Sequence, residues 1–351
     1  MMMKRMLYIV PVIGLCLACR SELPSDVGAD GAPIYLSASM EKPIDSRVPY
    51  QSAPVPTPEE VLHAAIWATT EGKYMGRDWN GKDSGNKVDI HGSASFSDGL
   101  PKLLNDAVYP KPAAGQTINV DFIGLHPQTG WTTENGAGEK AVFTFDGSHD
   151  VMFASEKTGA YATDNTGNIL TLEFKHLLTW LKIKIKAENE NVSKSWGTIR
   201  EMKIGSKNKV SIDLMKTYDF ADCVEFLGDD KLNLHQVGSD AVFPATGGFE
   251  LTNTLNFKEE AYVLCQPVTA TDEDLGETTA EYTLYIKSDR REVAIPIDLM
   301  KNETACFEGS TRAKHFTLNL TFMVGSTVMV QAEVTEEDWE LGDSIDKDVD
   351  F

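Results

Sequence analysis

The chain has 351 residues, 42% of them hydrophobic, which is enough for two domains with their own cores. Its 53 acidic and 32 basic side chains give a formal net charge of -21. A surface of that sign repels nucleic-acid phosphates and anionic lipid headgroups, so neither is an expected partner.

Lys4 and Arg5 precede an apolar run from Met6 to Ala18, which ends at Cys19. A basic start, a short apolar stretch and a small residue form the layout of a secretory signal, and the run is too short to span a bilayer. Residues 1–18 therefore read as a signal peptide. The cysteine behind Ala18 points to a bacterial lipoprotein, with cleavage before Cys19 and lipid on its thiol. An ordinary secreted protein with cysteines in its signal is the alternative. No second long apolar run follows, so contact with a membrane is expected only through that lipid.

Residues 19–47 read as a leader. Ile34, Leu36, Ala38 and Met40 alternate with Tyr35, Ser37 and Ser39, the period of a strand. The linker EKPIDSR follows, with Pro43 and an isolated Arg47. A lone surface arginine is the plainer reading of Arg47; its place in an extended linker after a strand makes proteolysis there the alternative, with Lys42 a competing site for a lysine-specific protease.

Beyond the leader the pattern stays in twos. Strands are predicted at Val61–Thr69, Thr117–Leu125, Ala141–Phe145, Thr198–Ile204 and Ala261–Val268. Hairpins are predicted from Tyr282–Lys287 to Val293–Ile297, and from Phe316–Phe322 to Val328–Val334. Between Leu170 and Ala187 the apolar parity changes, from Leu170, Leu172 and Phe174 to Leu181, Ile183 and Ile185. That predicts a bulge or tight corner near His176–Trp180. Helical signals are few: Pro58–Glu60, and a short turn over Ser97–Asn105. Many short strands with little helix predict an all-β chain of two β-sandwiches. The boundary is placed near Gly147, giving residues 48–147 and 148–351. At the far end Leu341, Ile345, Val349 and Phe351 share one parity, interrupted by Asp343 and Lys347. A solvated acidic terminus is the plainer reading of that tail.

Cys16 leaves with the signal, and Cys223, Cys265 and Cys306 remain, a number and spacing that suit neither a disulfide framework nor a zinc site. Cys265 reads as a small buried hydrophobe, and a Cys223–Cys306 bridge stays open. No nucleophile elbow, P-loop, dinucleotide fingerprint or HExxH occurs, and the seven histidines have no metal spacing. Neither a catalytic residue, a metal nor a cofactor is therefore expected. His176 reads as a structural histidine bonded to backbone, and Asp229-Asp230 and Asp272–Asp274 as acidic turns rather than calcium loops. Trp79 and Trp131 sit in Gly- and Asn-rich stretches. Folding back onto the core is the favoured reading, and stacking on sugars the rival, which would suit a non-polymerising surface lipoprotein that binds glycans.

Several stretches together resemble the fimbrillin-like subunits of type V pili. ILTLEFKHLLTWLKIKIK carries the family's Phe, two-spaced His and following Leu as Phe174, His176 and Leu181. AVYPKPAAGQTINVDFIGLHP (107–127), YVLCQP (262–267), EVTEEDWELG around Trp339 and YLSASMEKPIDSR are similar in order and spacing. The resemblance implies tandem transthyretin-like Greek-key β-sandwiches, made as an outer-membrane lipoprotein and moved to the cell surface or fimbrium. It implies that an arginine-specific protease cuts after Arg47 and removes the strand Ile34–Met40, with Leu36 and Ala38. A neighbour's strand would then fill the groove, and the donor here would be Leu341–Phe351. The implied partners are other pilin subunits, in a homo- or hetero-polymer, and a host or bacterial receptor or glycan.

Overall fold

A computed structural model of the chain describes residues 31–40, 62–70, 90–96, 102–133, 140–160, 170–214, 223–228, 231–251, 258–268, 281–298, 314–324 and 330–337. The signal, Cys19, Lys42, Arg47, Pro58–Glu60, Trp79, Asp229-Asp230, Asp272–Asp274, Cys306 and the tail residues Leu341, Ile345, Val349 and Phe351 lie outside the described residues.

The chain is all-β. First come β1 (Gly31–Met40), β2 (Leu62–Thr70), β3 (Ile90–Phe96), β4 (Lys102–Pro110) and β5 (Asn119–His126). Then follow β6 (Thr132–Thr133), β7 (Lys140–Thr144), β8 (Met152–Ala160) and β9 (Leu170–His176). Next are β10 (Thr179–Ala187), α1 (Glu190–Trp196), β11 (Ile199–Gly205), β12 (Lys209–Asp213) and β13 (Val224–Leu227). The rest are β14 (Lys231–Gln236), β15 (Val242–Phe243), β16 (Lys258–Cys265), β17 (Glu281–Ser288), β18 (Glu292–Asp298), β19 (His315–Phe322) and β20 (Val330–Glu337).

Among the described residues these strands form three sheets. One has seven strands in the order β3-β2-β5-β8-β9-β1-β4, and one has four, β13-β12-β7-β6. The third has nine, β18-β17-β11-β14-β16-β10-β19-β20 with β15 beside β14. The expected hairpins β17–β18 and β19–β20 form with continuous antiparallel register. Their alternation explains why: Tyr282, Leu284 and Ile286 on β17, and Phe316, Leu318, Leu320 and Phe322 on β19, are buried.

The parity change after His176 marks more than a bulge. β9 stops, the buried pair Leu177–Leu178 intervenes, and β10 restarts in the nine-stranded sheet. The backbone is tied across the step by Leu177 N–H to Val151 O at 2.9 Å and Trp180 N–H to Lys314 O at 3.0 Å. A boundary at residues 147/148 would therefore cut one sheet, because β8 and β9 remain paired with β5 and β1. The strands change sheet at Leu177–Leu178 instead. The four-stranded sheet joins both halves, since β12 pairs with β7.

Two local expectations need correction. Residues 102–105 of the expected helical turn belong to β4, which is held by β1. Conversely, α1 had no strong signal in the sequence. It is short, capped by Asn189, whose side chain accepts from Asn191 N–H, and ended by Gly197 at φ 69°. Its one apolar stripe is Val192 and Trp196, four residues apart and both buried.

Candidate functional site

β1 is not an edge strand. It runs between β9 and β4, parallel to the first and antiparallel to the second. Leu36–Met40 pair one for one with Leu170–Phe174. On the other side Gly31–Pro33 pair with Val108–Pro110 and Tyr35–Leu36 with Lys102–Leu103, so an irregularity lies between Pro33 and Tyr35. Leu36 is fully buried, and Ala38 is partly buried against the core. The strand is thus hydrogen-bonded on both edges and anchored by one large and one small side chain. Without it, β9 and β4 would each face an open lane of unpaired backbone groups.

The floor beside this lane is tight. Tyr109 of β4, opposite Ala32 of β1, points its ring into the core and meets Phe122 edge-on, with centroids 6.1 Å apart. A Cβ added to Gly159 of β8 would stand 2.3 Å from the Tyr109 hydroxyl and 2.9 Å from Leu170 Cδ1, so glycine is required there by close approach. Among the described residues the buried Tyr109 hydroxyl has no hydrogen-bond partner, and burial pushes its pKa up to about 12.

A second cluster straps the segment 146–150 to the nine-stranded sheet. Gly147 has φ 95° and accepts from Leu264 N–H at 2.8 Å, and a Cβ there would meet Val263 Cγ2 at 2.7 Å. Tyr262 donates its hydroxyl to Ser148 O, and His235 Nε2 lies 3.2 Å from Asp146 O. Burial alone would raise the Asp146 carboxyl. Hydrogen bonds from the Ser148 hydroxyl and amide, with His235 and His149 nearby, outweigh this and hold it below the usual carboxylate range.

His176 sits inside this region. Its Nδ1 is 2.5 Å from Asp150 Oδ2, with both side chains buried, and Val151 N–H donates to the other oxygen, Oδ1. One partner is thus a carboxylate 26 residues away, which the sequence did not point to. Sequence reasoning also missed Asp150, while Tyr109 entered only through the resemblance. The one available signal was the break that FTFDGSHD makes in the strand pattern.

Ser148, His149 and Asp240 invite a hydrolase reading, since Ser148 Oγ is 2.6 Å from His149 Nδ1 and His149 Nε2 is 3.4 Å from Asp240. The serine is only 1% exposed and its Oγ also lies 2.6 Å from Asp146 Oδ1. A substrate carbonyl has no approach to it, so the cluster acts as a strap. Among the described residues, no group of three or more His, Cys, Asp or Glu side chains is arranged to hold a metal ion. Trp131 is buried, packs on Phe143 with centroids 5.2 Å apart, and donates its indole N–H to Pro127 O at 2.8 Å. It offers no open face for a sugar. Cys265 is a buried free thiol, pushed up to about 12 by burial against an opposing Tyr282 hydrogen bond. Cys223 is buried as well.

These features define a class: all-β proteins in which an N-terminal strand is held as an internal member of a later sheet. The chain belongs to the fimbrillin-like family, whose sequence pattern matches residues 114–339. That family places it among fimbria-related proteins. No curated protein matches it. Among solved structures, a candidate cell adhesion protein from Bacteroides uniformis is similar at 16% identity, covering 90% of this chain and 100% of that one, with a TM-score of 0.46. A fimbrial assembly protein from Parabacteroides distasonis is similar at 11% identity, covering 88% and 99%, with a TM-score of 0.42. A candidate polysaccharide-binding protein from Bacteroides thetaiotaomicron is similar at 8% identity, covering 88% and 98%, with a TM-score of 0.42.

Proposed function

We propose that the protein is a structural or adhesive pilus subunit, made as a lipoprotein on Cys19 and assembled by strand exchange. A protease cuts after Arg47, β1 leaves, and a strand from another subunit takes its lane between β9 and β4. The protein has no enzymatic activity in this reading, and its partners are the protease, other subunits and a surface receptor.

The observation that supports this is the placement of β1 as an internal strand whose own connection, residues 41–47, carries the arginine. Burying Leu36 stabilises the docked strand by about 1.5–3 kcal/mol, and the two ladders add backbone pairing. Holding ten residues in one conformation costs about 1–2 kcal/mol each. While attached, the leader is held at high effective concentration beside its lane, and cutting removes that advantage without changing the ordering cost. Cleavage therefore turns a stable plug into a replaceable one, and loss of the free leader makes the exchange irreversible.

The test is treatment of the purified lipid-free chain with an arginine-specific protease, followed by mixing with candidate partner subunits. Intact mass should report a cut after Arg47, abolished in Arg47→Ala, and denaturing gels should then show ladders. A chain cut after Arg47 that stays monomeric with every partner subunit of its own pilus would refute the proposal.

A further inference from the structure

We propose that the strap over the nine-stranded sheet is a proton-operated latch, which closes on the doubly protonated ring of His235 and loosens when that ring gives up its second proton. This inference stands apart from the strand-exchange reading and concerns the joint between the sheets.

The strap, residues 146–150, runs between β7 of the four-stranded sheet and β8 of the seven-stranded one. It rests on β16 and β14 of the nine-stranded sheet. Leu264 N–H donates to Gly147 O at 2.8 Å, and the Tyr262 hydroxyl donates to Ser148 O at 3.2 Å. The third tie is His235, which is buried, with a backbone carbonyl at each of its ring nitrogens. Nδ1 is 2.9 Å from Asp240 O, in the turn after β14, and Nε2 is 3.2 Å from Asp146 O, in the strap. A carbonyl oxygen only accepts. A neutral imidazole has one N–H to give, and an imidazolium has two. Only the cation can donate to both carbonyls; the neutral ring leaves one nitrogen lone pair facing an oxygen lone pair. Tyr262 cannot make up the difference. Its hydroxyl is within reach of Ser148 O and of Ser239 O, at 3.3 Å, and has one hydrogen for the two.

Among the described residues the titratable groups facing the ring are Asp146 and His149 on the strap, Asp240 on the turn and Tyr262 on β16. Burial works against the Asp146 carboxylate, but the two Ser148 bonds and the positive charge of His235 and His149 favour it. That carboxylate is the counter-charge a buried imidazolium needs. Burial raises the Tyr262 hydroxyl, and Asp240 and Asp146 raise it further, so it stays protonated. His149 places its Nε2 3.4 Å from the Asp240 carboxylate, so it is a rival proton switch. Two lysines lie further off. Lys182, beyond Tyr262 on β10, turns its ammonium over the Trp180 ring, and Lys203 on β11 pairs with Glu201.

On deprotonation the shorter Nδ1 contact, inside the β14–β15 hairpin, keeps its hydrogen, and Nε2 turns a lone pair toward Asp146 O. The tie to the strap is therefore present below the titration of His235 and lost as pH rises through it. At the acid end it is bounded by Asp146, whose carboxylate is lost as pH falls through its lowered value.

The Leu264 amide reports the latch, because its hydrogen bond goes to the strap itself. Its hydrogen exchange is measured on the purified lipid-free chain at about pH 5.5 and about pH 8.5, on either side of the ordinary histidine range. Protection factors divide out the pH dependence of intrinsic exchange. Protection at Leu264 should fall about tenfold or more at the higher pH, the scale of one hydrogen bond to a charged group, while Ile183 in β10 should change by less than about threefold. The fall should persist in His149→Gln and vanish in His235→Gln. No fall in the native chain, a fall that survives His235→Gln, or one abolished by His149→Gln overturns the proposal. Should His235→Gln not fold, nitrogen NMR of the native chain with labelled histidine rings replaces it. The His235 ring should then carry two protons at the lower pH and one at the higher, and a ring with the same proton count at both overturns the latch.

Discussion

Gly159→Ala tests the packing beside the lane. The new Cβ would lie 2.3 Å from the Tyr109 hydroxyl, 3.0 Å from Tyr109 Cζ and 2.9 Å from Leu170 Cδ1, where ordinary contact begins near 3.4 Å. The hydroxyl would have to retreat by about 1 Å, while its ring is fixed edge-on against Phe122. Overpacking of this kind costs about 1–3 kcal/mol. Tyr109→Phe alone removes a buried hydroxyl that has no partner among the described residues, so it should be neutral or stabilise by up to about 1 kcal/mol. In the double variant the worst clash is absent, and Gly159→Ala should then cost at least 1 kcal/mol less than it does alone, on the order of the coupling expected for touching residues. Urea unfolding of the four proteins, read by tryptophan fluorescence with the slope held common, measures the cycle. Additivity within about 0.5 kcal/mol would refute the close approach of Tyr109 to Gly159.

Two further outcomes follow from the titrating groups. Asp146 is held below its unfolded value near ~3.9. A depressed carboxyl contributes stability that is present above that pH and lost as pH falls through the folded value. Ser148→Ala removes one of its bonds, so it should destabilise by about 1.5–3 kcal/mol at pH 6 and by clearly less at pH 3. A cost that does not change with pH would contradict the assignment. Cys265, with its thiol pushed up to about 12, should escape iodoacetamide at pH 8 in the folded chain and react in urea, as read by peptide mapping. Native labelling would mean that β16 is not buried as described.

Much of the secondary structure was legible because it follows from one-sided burial. Leu181, Ile183 and Ile185, or Phe316, Leu318 and Leu320, can face a core only as strands. The leader strand was legible on the same ground. β4 was not, because Leu103-Leu104-Asn105 lacks alternation and its strand form is imposed by pairing with β1. The seven residues of α1 carry one buried pair, too little for a periodic signal. The parity change at His176–Trp180 was visible, but that it hands the chain to another sheet depends on strand order, which local pattern does not encode. The same limit hid the Asp150–His176 contact and the position of β1 between β9 and β4. Cys19 was singled out by residue type and spacing, Arg47 and the tail by the family resemblance, and their roles rest on the proposal.

Hydrogen exchange on the chain cut between Met40 and Val48 tests the central claim most directly, with and without the leader washed out in mild denaturant. If β1 is a separable member of the sheet, its removal should release protection in Leu170–Phe174 and Lys102–Pro110 while the nine-stranded sheet, β10 and β19 included, stays protected. Adding peptide 31–41 should restore it. Unchanged protection in both segments after the leader is gone would contradict the account, because β9 and β4 would then have no lane to lose.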